Sequence, residues 1–195
     1  MLISRKQRFV FFATPKTGTR SFYKLLMSEF YGGERVGDHK HVLGEEFVDF
    51  YKFIVVREPY DRMLSLYLSC CLERGDVKGF VEDMSLVGLK NDFKSFLRWV
   101  VMNKKRFYSL NKSKYLILKS QAPFFENDFD KVIKFESVQE SLKDLPFLDS
   151  DTQLPFLNRT YDENRSSYFD TEVYELINDY CHDEFQLTGY RKKFS

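Results

Sequence analysis

Residues 15–21, near the N-terminus, bring together the side chains that a bound anion requires. Lys16 supplies a full positive charge, and Gly18 lets the backbone approach a ligand closely because it has no Cβ. Hydroxyl groups and a second cation complete the segment. The candidate anion-binding residues are Lys16, Thr17, Gly18, Thr19, Arg20 and Ser21. These residue types predict a loop that holds a phosphate or a similar anion.

This loop lies between a predicted strand and a predicted helix. Residues 9–13 form a continuous apolar run, typical of a strand covered on both faces, and Pro15 ends it by removing a backbone donor. From Thr19 onward, apolar side chains recur at helical spacing, at Phe22, Leu25, Leu26 and Phe30. The first helical turn, at the positive end of the helix dipole, is therefore expected to point at the bound anion.

A second connection between a strand and a helix follows later in the chain. Residues 52–56 form another buried strand, Arg57 follows it, and Pro59 suits a first helical turn. The helix is predicted from an apolar stripe at Tyr60, Met63, Leu64, Tyr67, Leu68 and Cys71. Ser65 lies off this stripe. Because open α/β sheets bind ligands at the carboxyl edge, the forked guanidinium of Arg57 and the Ser65 hydroxyl are predicted to hold one phosphate there.

A phosphate-binding loop of the nucleoside-triphosphatase kind is the first alternative. That motif is Gly-x-x-x-x-Gly-Lys-Ser/Thr, with lysine directly after the second glycine. Here Lys16 precedes Gly18, and no other glycine lies in the loop. The order of these residues disfavours a small-molecule kinase.

The order Pro-Lys-Thr-Gly-Thr-x-Ser instead resembles the 5'-phosphosulfate loop of sulfotransferases that use 3'-phosphoadenosine 5'-phosphosulfate (PAPS). The later Val-Arg-x-Pro-x-x-Arg-x-x-Ser-x-Tyr resembles their 3'-phosphate motif. PAPS carries two separate anionic groups, so two anion sites suit it. The resemblance implies PAPS as co-substrate, 3'-phosphoadenosine 5'-phosphate (PAP) as product, and a P-loop-like three-layer α/β fold with a central parallel sheet flanked by helices. It also implies Lys16 at the bridging oxygen and Arg57 with Ser65 at the 3'-phosphate.

No metal is expected, because a sulfuryl group bears less charge than a phosphoryl group and can be stabilised by lysine and backbone amides. A zinc site is disfavoured, since His182 and three scattered cysteines lack the usual ligand spacing.

The acceptor and the catalytic base are also predicted from resemblance. The spelling Pro-Lys-Thr-Gly-Thr and residues 115–125, 131–136 and 154–160 are similar to segments of Golgi-type carbohydrate sulfotransferases, which favours a sugar hydroxyl as acceptor. Between the two motifs, His39 and His41 resemble the His-x-His-Val element of heparan sulfate 2-O-sulfotransferases. The resemblance implies His41 as the base, with His39 as its companion. A neutral imidazole can accept a hydroxyl proton near neutral pH. Glu45 or Glu46 is the alternative base. The alternative for the two histidines is that they are exposed loop residues without a catalytic role.

Composition sets limits on domain number, partners and location. With 195 residues and no linker or repeat, the chain is predicted to form a single domain over 1–195. A net charge of +1 argues against a nucleic-acid partner. The first predicted strand starts at Phe9, which leaves no room for a membrane segment and predicts a cytoplasmic protein; a trimmed Golgi-type catalytic domain is the alternative.

The sequence therefore predicts an enzyme that moves a sulfuryl group from PAPS to a hydroxyl acceptor, with a carbohydrate favoured. The alternatives are a non-catalytic module that binds PAP or PAPS and a P-loop small-molecule kinase. An intact Lys16 and an available base disfavour the non-catalytic module.

Overall fold

A computed structural model describes residues 1–37, 42–72, 92–109, 117–155 and 165–194. The chain forms two compact units. The first comprises Met1–Glu58 and Gln121–Leu157, and the second comprises Pro59–Ser120 and Asn158–Ser195. The prediction of a single domain over 1–195 stays a prediction.

The described part of the chain contains five strands and seven α-helices. The strands are β1 (Leu2–Ser4), β2 (Phe9–Ala13), β3 (Gly33–Arg35), β4 (Tyr51–Val56) and β5 (Lys131–Lys134). The helices are α1 (Thr19–Leu26), α2 (Pro59–Cys70), α3 (Phe93–Met102), α4 (Lys104–Ser109), α5 (Val138–Ser141), α6 (Thr171–Tyr180) and α7 (His182–Thr188). Short 3₁₀ turns occupy Glu45–Phe47, Ala122–Glu126, Phe135–Ser137, Leu142–Asp144 and Arg165–Tyr168.

The first unit is built on one sheet with the strand order β3-β1-β2-β4-β5. The three strands β2, β4 and β5 run parallel, with Phe11 opposite Phe53 and Phe53 opposite Lys131. Strands β1 and β3 add an antiparallel edge. The structure confirms the predicted P-loop-like α/β class and the parallel centre of its sheet. The antiparallel edge was not predicted, because strands of three residues are too short to show a period.

The apolar run at residues 9–13 forms strand β2, and all five of its side chains are buried. Phe11 stacks on Phe53 with ring centroids 5.0 Å apart, and Phe22 of α1 packs on Phe11 at 4.9 Å. These rings fix helix α1 against the sheet directly after the predicted anion-binding loop. Helix α1 begins at Thr19 as predicted but ends at Leu26, so Phe30 lies beyond it and is 59% exposed. The predicted continuation of the apolar stripe to Phe30 is therefore wrong.

The second unit is helical in its described residues. Helix α2 begins at Pro59, as predicted, and only one of its twelve residues, Asp61, is not buried. The predicted apolar stripe is buried, and so is the rest of the helix apart from Asp61. A pattern with one buried and one exposed face therefore underestimates how much of this helix is buried. Asp170 caps the N-terminus of helix α6, and its carboxylate accepts a hydrogen bond from the Val173 N–H at 3.0 Å.

A fully buried ion pair joins α2 to α7 within the second unit. The Arg62 guanidinium donates from Nη2 to Glu184 Oε1 at 2.5 Å and from Nε to Oε2 at 3.2 Å. Both side chains have no exposed surface. Burial is the largest single influence and lowers the pKa of Arg62, but the charge and hydrogen bond of Glu184, together with Cys181 and Tyr180, outweigh it and raise that pKa above its ordinary value. The guanidinium is therefore held as a cation inside a helical core.

None of the helices in the described ranges is long and apolar enough to cross a membrane. The cytoplasmic location stays a prediction.

Candidate functional site

The candidate site lies where the three parallel strands of the first unit end. Lys16 follows β2, Arg57 follows β4, and Phe135 follows β5. Because parallel strands end at the same edge of a sheet, these three connections meet there. Contacts of Arg57 with Lys16 and with Phe135 join the three connections.

The backbone after β2 has the shape of an anion-binding loop. Lys16 has φ +67° and Gly18 has φ +75°, while Thr17 between them has a negative φ. A backbone that alternates between left-handed and other conformations is typical of a nest, a concave run of N–H groups that binds anions. The left-handed conformation costs a lysine about 1–2 kcal/mol, so the surrounding contacts must hold Lys16 in place.

The hydroxyl groups around the loop hold its shape. The Thr14 hydroxyl donates to the Val55 carbonyl of β4 at 2.6 Å. The Thr14 carbonyl then accepts from the hydroxyls of Thr17 at 2.9 Å and of Thr19 at 3.0 Å. Thr17 is fully buried. The hydroxyls of Thr17 and Thr19 were predicted as ligand donors, and the structure gives them a second use in fixing the loop.

Helix α1 starts directly after this loop. The Gly18 carbonyl accepts from the Ser21 N–H at 2.9 Å and from the Phe22 N–H at 3.3 Å, so the helical hydrogen bonds begin at Gly18. The loop therefore sits at the positive end of the helix dipole. Arg20 is exposed on the first turn, whereas the Ser21 side chain is 4% exposed.

Gly18 leaves no space for a side chain. A Cβ at this position would lie 2.8 Å from Cε2 of Phe135, closer than side chains approach, and the positive φ would add strain. The sequence predicted that Gly18 lets a ligand approach the backbone closely. In the structure the group that lies close to Gly18 is the Phe135 ring.

Arg57 lies beside the anion-binding loop. Its Nη1 donates to the Lys16 carbonyl at 3.1 Å, and its guanidinium carbon lies 4.8 Å from the centre of the Phe135 ring. The structure thus brings Arg57, Lys16 and Gly18 together. Ser65 belongs to the second unit, where it is buried at 3% exposure in α2. Its pairing with Arg57 around one phosphate stays a prediction.

The structure describes two of the four candidate bases. His39 and His41 fall outside the described residues, so their role stays a prediction. Glu45 and Glu46 are exposed on the 3₁₀ turn Glu45–Phe47. No group of three or more histidine, cysteine or acidic side chains within the described ranges is arranged to hold a metal ion.

The arrangement suits an anionic ligand. A nest, a helix N-terminus and a lysine meet at one loop, and an arginine stands next to it. Backbone amides and a fixed guanidinium need little reorganisation when charge develops on a ligand.

Sequence reasoning overlooked two residues at this site, Gln121 and Phe135. Gln121 forms two hydrogen bonds with the backbone of Arg57, and Phe135 lies against both Arg57 and Gly18. Neither residue type is a charged ligand, and both lie far along the chain from their partners. No spacing signal in the sequence indicates such contacts.

A comparison with protein families identifies the class of protein. The model of the sulfotransferase family matches residues 1–191 of the 195-residue chain. The chain therefore belongs to the sulfotransferase family, which confirms the predicted class and sulfuryl transfer in general terms. Searches of curated proteins and of solved structures found no match.

Proposed function

We propose that this protein transfers a sulfuryl group from PAPS to a hydroxyl group of an acceptor, with a carbohydrate as the favoured class. The main support is the loop after β2, where a nest, a helix N-terminus and Lys16 converge and Arg57 is bonded to the same loop. The family match supports sulfuryl transfer. The two motifs, which resemble 5'-phosphosulfate and 3'-phosphate sites, support PAPS as the donor.

Each residue of this site has a distinct proposed role. PAPS would supply the sulfuryl group and a leaving phosphate. Residues 17–21 would bind its 5' end, and the Lys16 ammonium would stabilise negative charge on the bridging oxygen. Arg57 and Ser65 would hold the 3'-phosphate, and His41 would take the proton from the acceptor hydroxyl. No metal is required in this scheme.

The carbohydrate acceptor rests on sequence resemblance to Golgi-type enzymes. The spelling Pro-Lys-Thr-Gly-Thr and the His-x-His-Val element around His41 support it. Assays with labelled PAPS against glycans, polyols and phenols would identify the acceptor class. Tight nucleotide binding without transfer to any acceptor would favour the non-catalytic alternative.

The first test is nucleotide discrimination through Arg57. We expect the protein to bind PAP without added metal and much more tightly than AMP, which lacks the 3'-phosphate. Arg57→Ala removes charge-assisted hydrogen bonds worth about 1.5–3 kcal/mol each, so PAP affinity should fall at least about tenfold. Isothermal calorimetry with both nucleotides measures this difference.

Lys24→Ala is the matched control for Arg57→Ala, because it removes one exposed positive charge from α1. It should leave PAP affinity within about twofold of the native value, since exposed charges are screened by solvent. Equal affinity of the native protein for AMP and PAP would contradict PAPS as the donor. Binding of ATP only with magnesium would favour the kinase alternative.

The second test separates catalysis from binding at Lys16. Lys16→Ala should lower kcat by about 10²–10³-fold, because a preorganised donor matters most when the bridging oxygen becomes negative. PAP affinity should fall much less. Single-turnover transfer and PAP calorimetry on the same variant give the two numbers.

Lys16→Arg keeps the positive charge and serves as the comparison. It should retain more transfer than Lys16→Ala, because charge at this position is what the reaction uses. If kcat and PAP affinity fall by the same factor in Lys16→Ala, the lysine only anchors the nucleotide.

A further inference from the structure

Gln121 holds the backbone of Arg57 at two points. Its Oε1 accepts a hydrogen bond from the Arg57 N–H at 3.1 Å, and its Nε2 donates to the Arg57 carbonyl at 3.0 Å. The Gln121 side chain is fully buried. We call this pair of hydrogen bonds the glutamine clamp.

The glutamine clamp lies just beyond the end of strand β4. Strand β4 ends at Val56, whose register partner in β5 is Lys134, and Arg57 is the next residue. Strand β5 therefore does not fix the backbone of Arg57. The N–H and C=O groups of Arg57 still require hydrogen-bond partners. A carboxamide carries one acceptor and a donor in nearly the geometry of a peptide group, so Gln121 takes the place of a further strand residue.

The guanidinium of Arg57 is also held in place. Its Nη1 donates to the Lys16 carbonyl, and its guanidinium lies 4.8 Å from the centre of the Phe135 ring. The same Phe135 ring fills the space beside Gly18. With the backbone and the guanidinium both fixed, Arg57 has little freedom to move when a ligand arrives, and preorganisation of this kind strengthens binding.

We propose that Gln121 is a positioning residue that sets the preference of this protein for nucleotides bearing a 3'-phosphate, acting through Arg57. This inference rests on the proposed function, in which Arg57 binds that phosphate. A merely structural glutamine would affect both nucleotides equally when lost. A positioning glutamine changes the ratio of PAP affinity to AMP affinity, because only PAP carries the group that Arg57 recognises.

The test compares PAP and AMP binding by calorimetry in the native protein and in Gln121→Met. Methionine keeps the volume of glutamine but supplies neither hydrogen bond. We expect PAP affinity to fall by about five- to tenfold, since two neutral hydrogen bonds orient the arginine, while AMP affinity changes by less than about twofold. In an Arg57→Ala background, Gln121→Met should cause no further loss of PAP affinity.

A second glutamine in the same unit provides a matched control. Gln139 donates from Nε2 to the Thr152 carbonyl at 2.9 Å, and its Oε1 accepts from the Leu154 N–H at 3.0 Å. Gln139→Met therefore removes the same pair of hydrogen bonds at a different place. It should lower the melting temperature while leaving the ratio of PAP to AMP affinity unchanged.

The outcomes separate this inference from the proposed function. If native protein prefers PAP but Gln121→Met retains the native ratio, the positioning role is wrong and PAPS use stands. If native protein shows no preference for PAP, the proposed donor is wrong and the inference fails with it. Should Gln121→Met not fold, Gln121→Asn replaces it in the same comparison, because asparagine is neutral but one methylene too short to make both hydrogen bonds with the Arg57 backbone.

Discussion

Arg62→Met is expected to lower the free energy of unfolding by about 3–5 kcal/mol, because it leaves the Glu184 carboxylate buried without its partner. The methionine fills most of the space of the arginine stem, so the loss reports the stranded charge rather than a cavity. Cys181, whose Sγ lies 3.7 Å from Arg62 Nη2, cannot replace the lost positive charge, because a thiol is either neutral or negative. Burial raises the pKa of its thiol, which keeps it neutral. Urea unfolding monitored by circular dichroism measures the change.

The double variant Arg62→Met/Glu184→Leu is the decisive comparison. With both ions gone, no charge is stranded, and replacement of a buried pair by apolar side chains is often neutral or stabilising. Most of the stability lost in Arg62→Met should therefore return. A double variant no more stable than Arg62→Met, or a single variant as stable as the native protein, would contradict this account of the pair. Lys24→Met, on the exposed face of α1, should change stability by less than about 0.5 kcal/mol.

The pair also explains why one sequence motif contains two arginines. Arg57 stands at the end of β4 beside the anion-binding loop, whereas Arg62 is fully buried and bonded to Glu184. Ser65 follows Arg62 by three residues on the same helix, so the ion pair fixes the helix that carries this candidate ligand. The spacing in the sequence places both arginines in one motif. It does not show that Arg57 lies beside the candidate loop while Arg62 forms a buried ion pair.

Local signals in the sequence were enough to locate the main elements of the site. Strand β2 was predicted at its observed bounds because five consecutive apolar residues can only be buried together. The start of α1 at Thr19 followed from apolar side chains at helical spacing, and the start of α2 at Pro59 followed from a proline suited to a first helical turn. The candidate anion-binding loop lies between such signals, and its binding of an anion stays a prediction.

Contacts between distant residues could not be predicted in the same way. Glu184 lies 122 residues from Arg62, and Gln121 lies 64 residues from Arg57. Both partners are polar residues that composition would place at the surface. Their burial depends on how the whole unit packs. The same reason explains why Ser65, which lies off the predicted apolar stripe, is only 3% exposed.

His41→Ala is expected to lower kcat by about 10²–10⁴-fold, the usual loss when a general base is removed. PAP affinity should stay nearly unchanged, because the histidine would act on the acceptor and not on the nucleotide. His39→Ala should cost less, since His39 is predicted only as a companion. Native kcat should fall as pH drops below the histidine pKa, ordinarily about 6.5, because a protonated imidazole cannot accept another proton. Near-native turnover in His41→Ala would exclude it as the base, and turnover measured on Glu45→Gln and Glu46→Gln would then identify a carboxylate in that role.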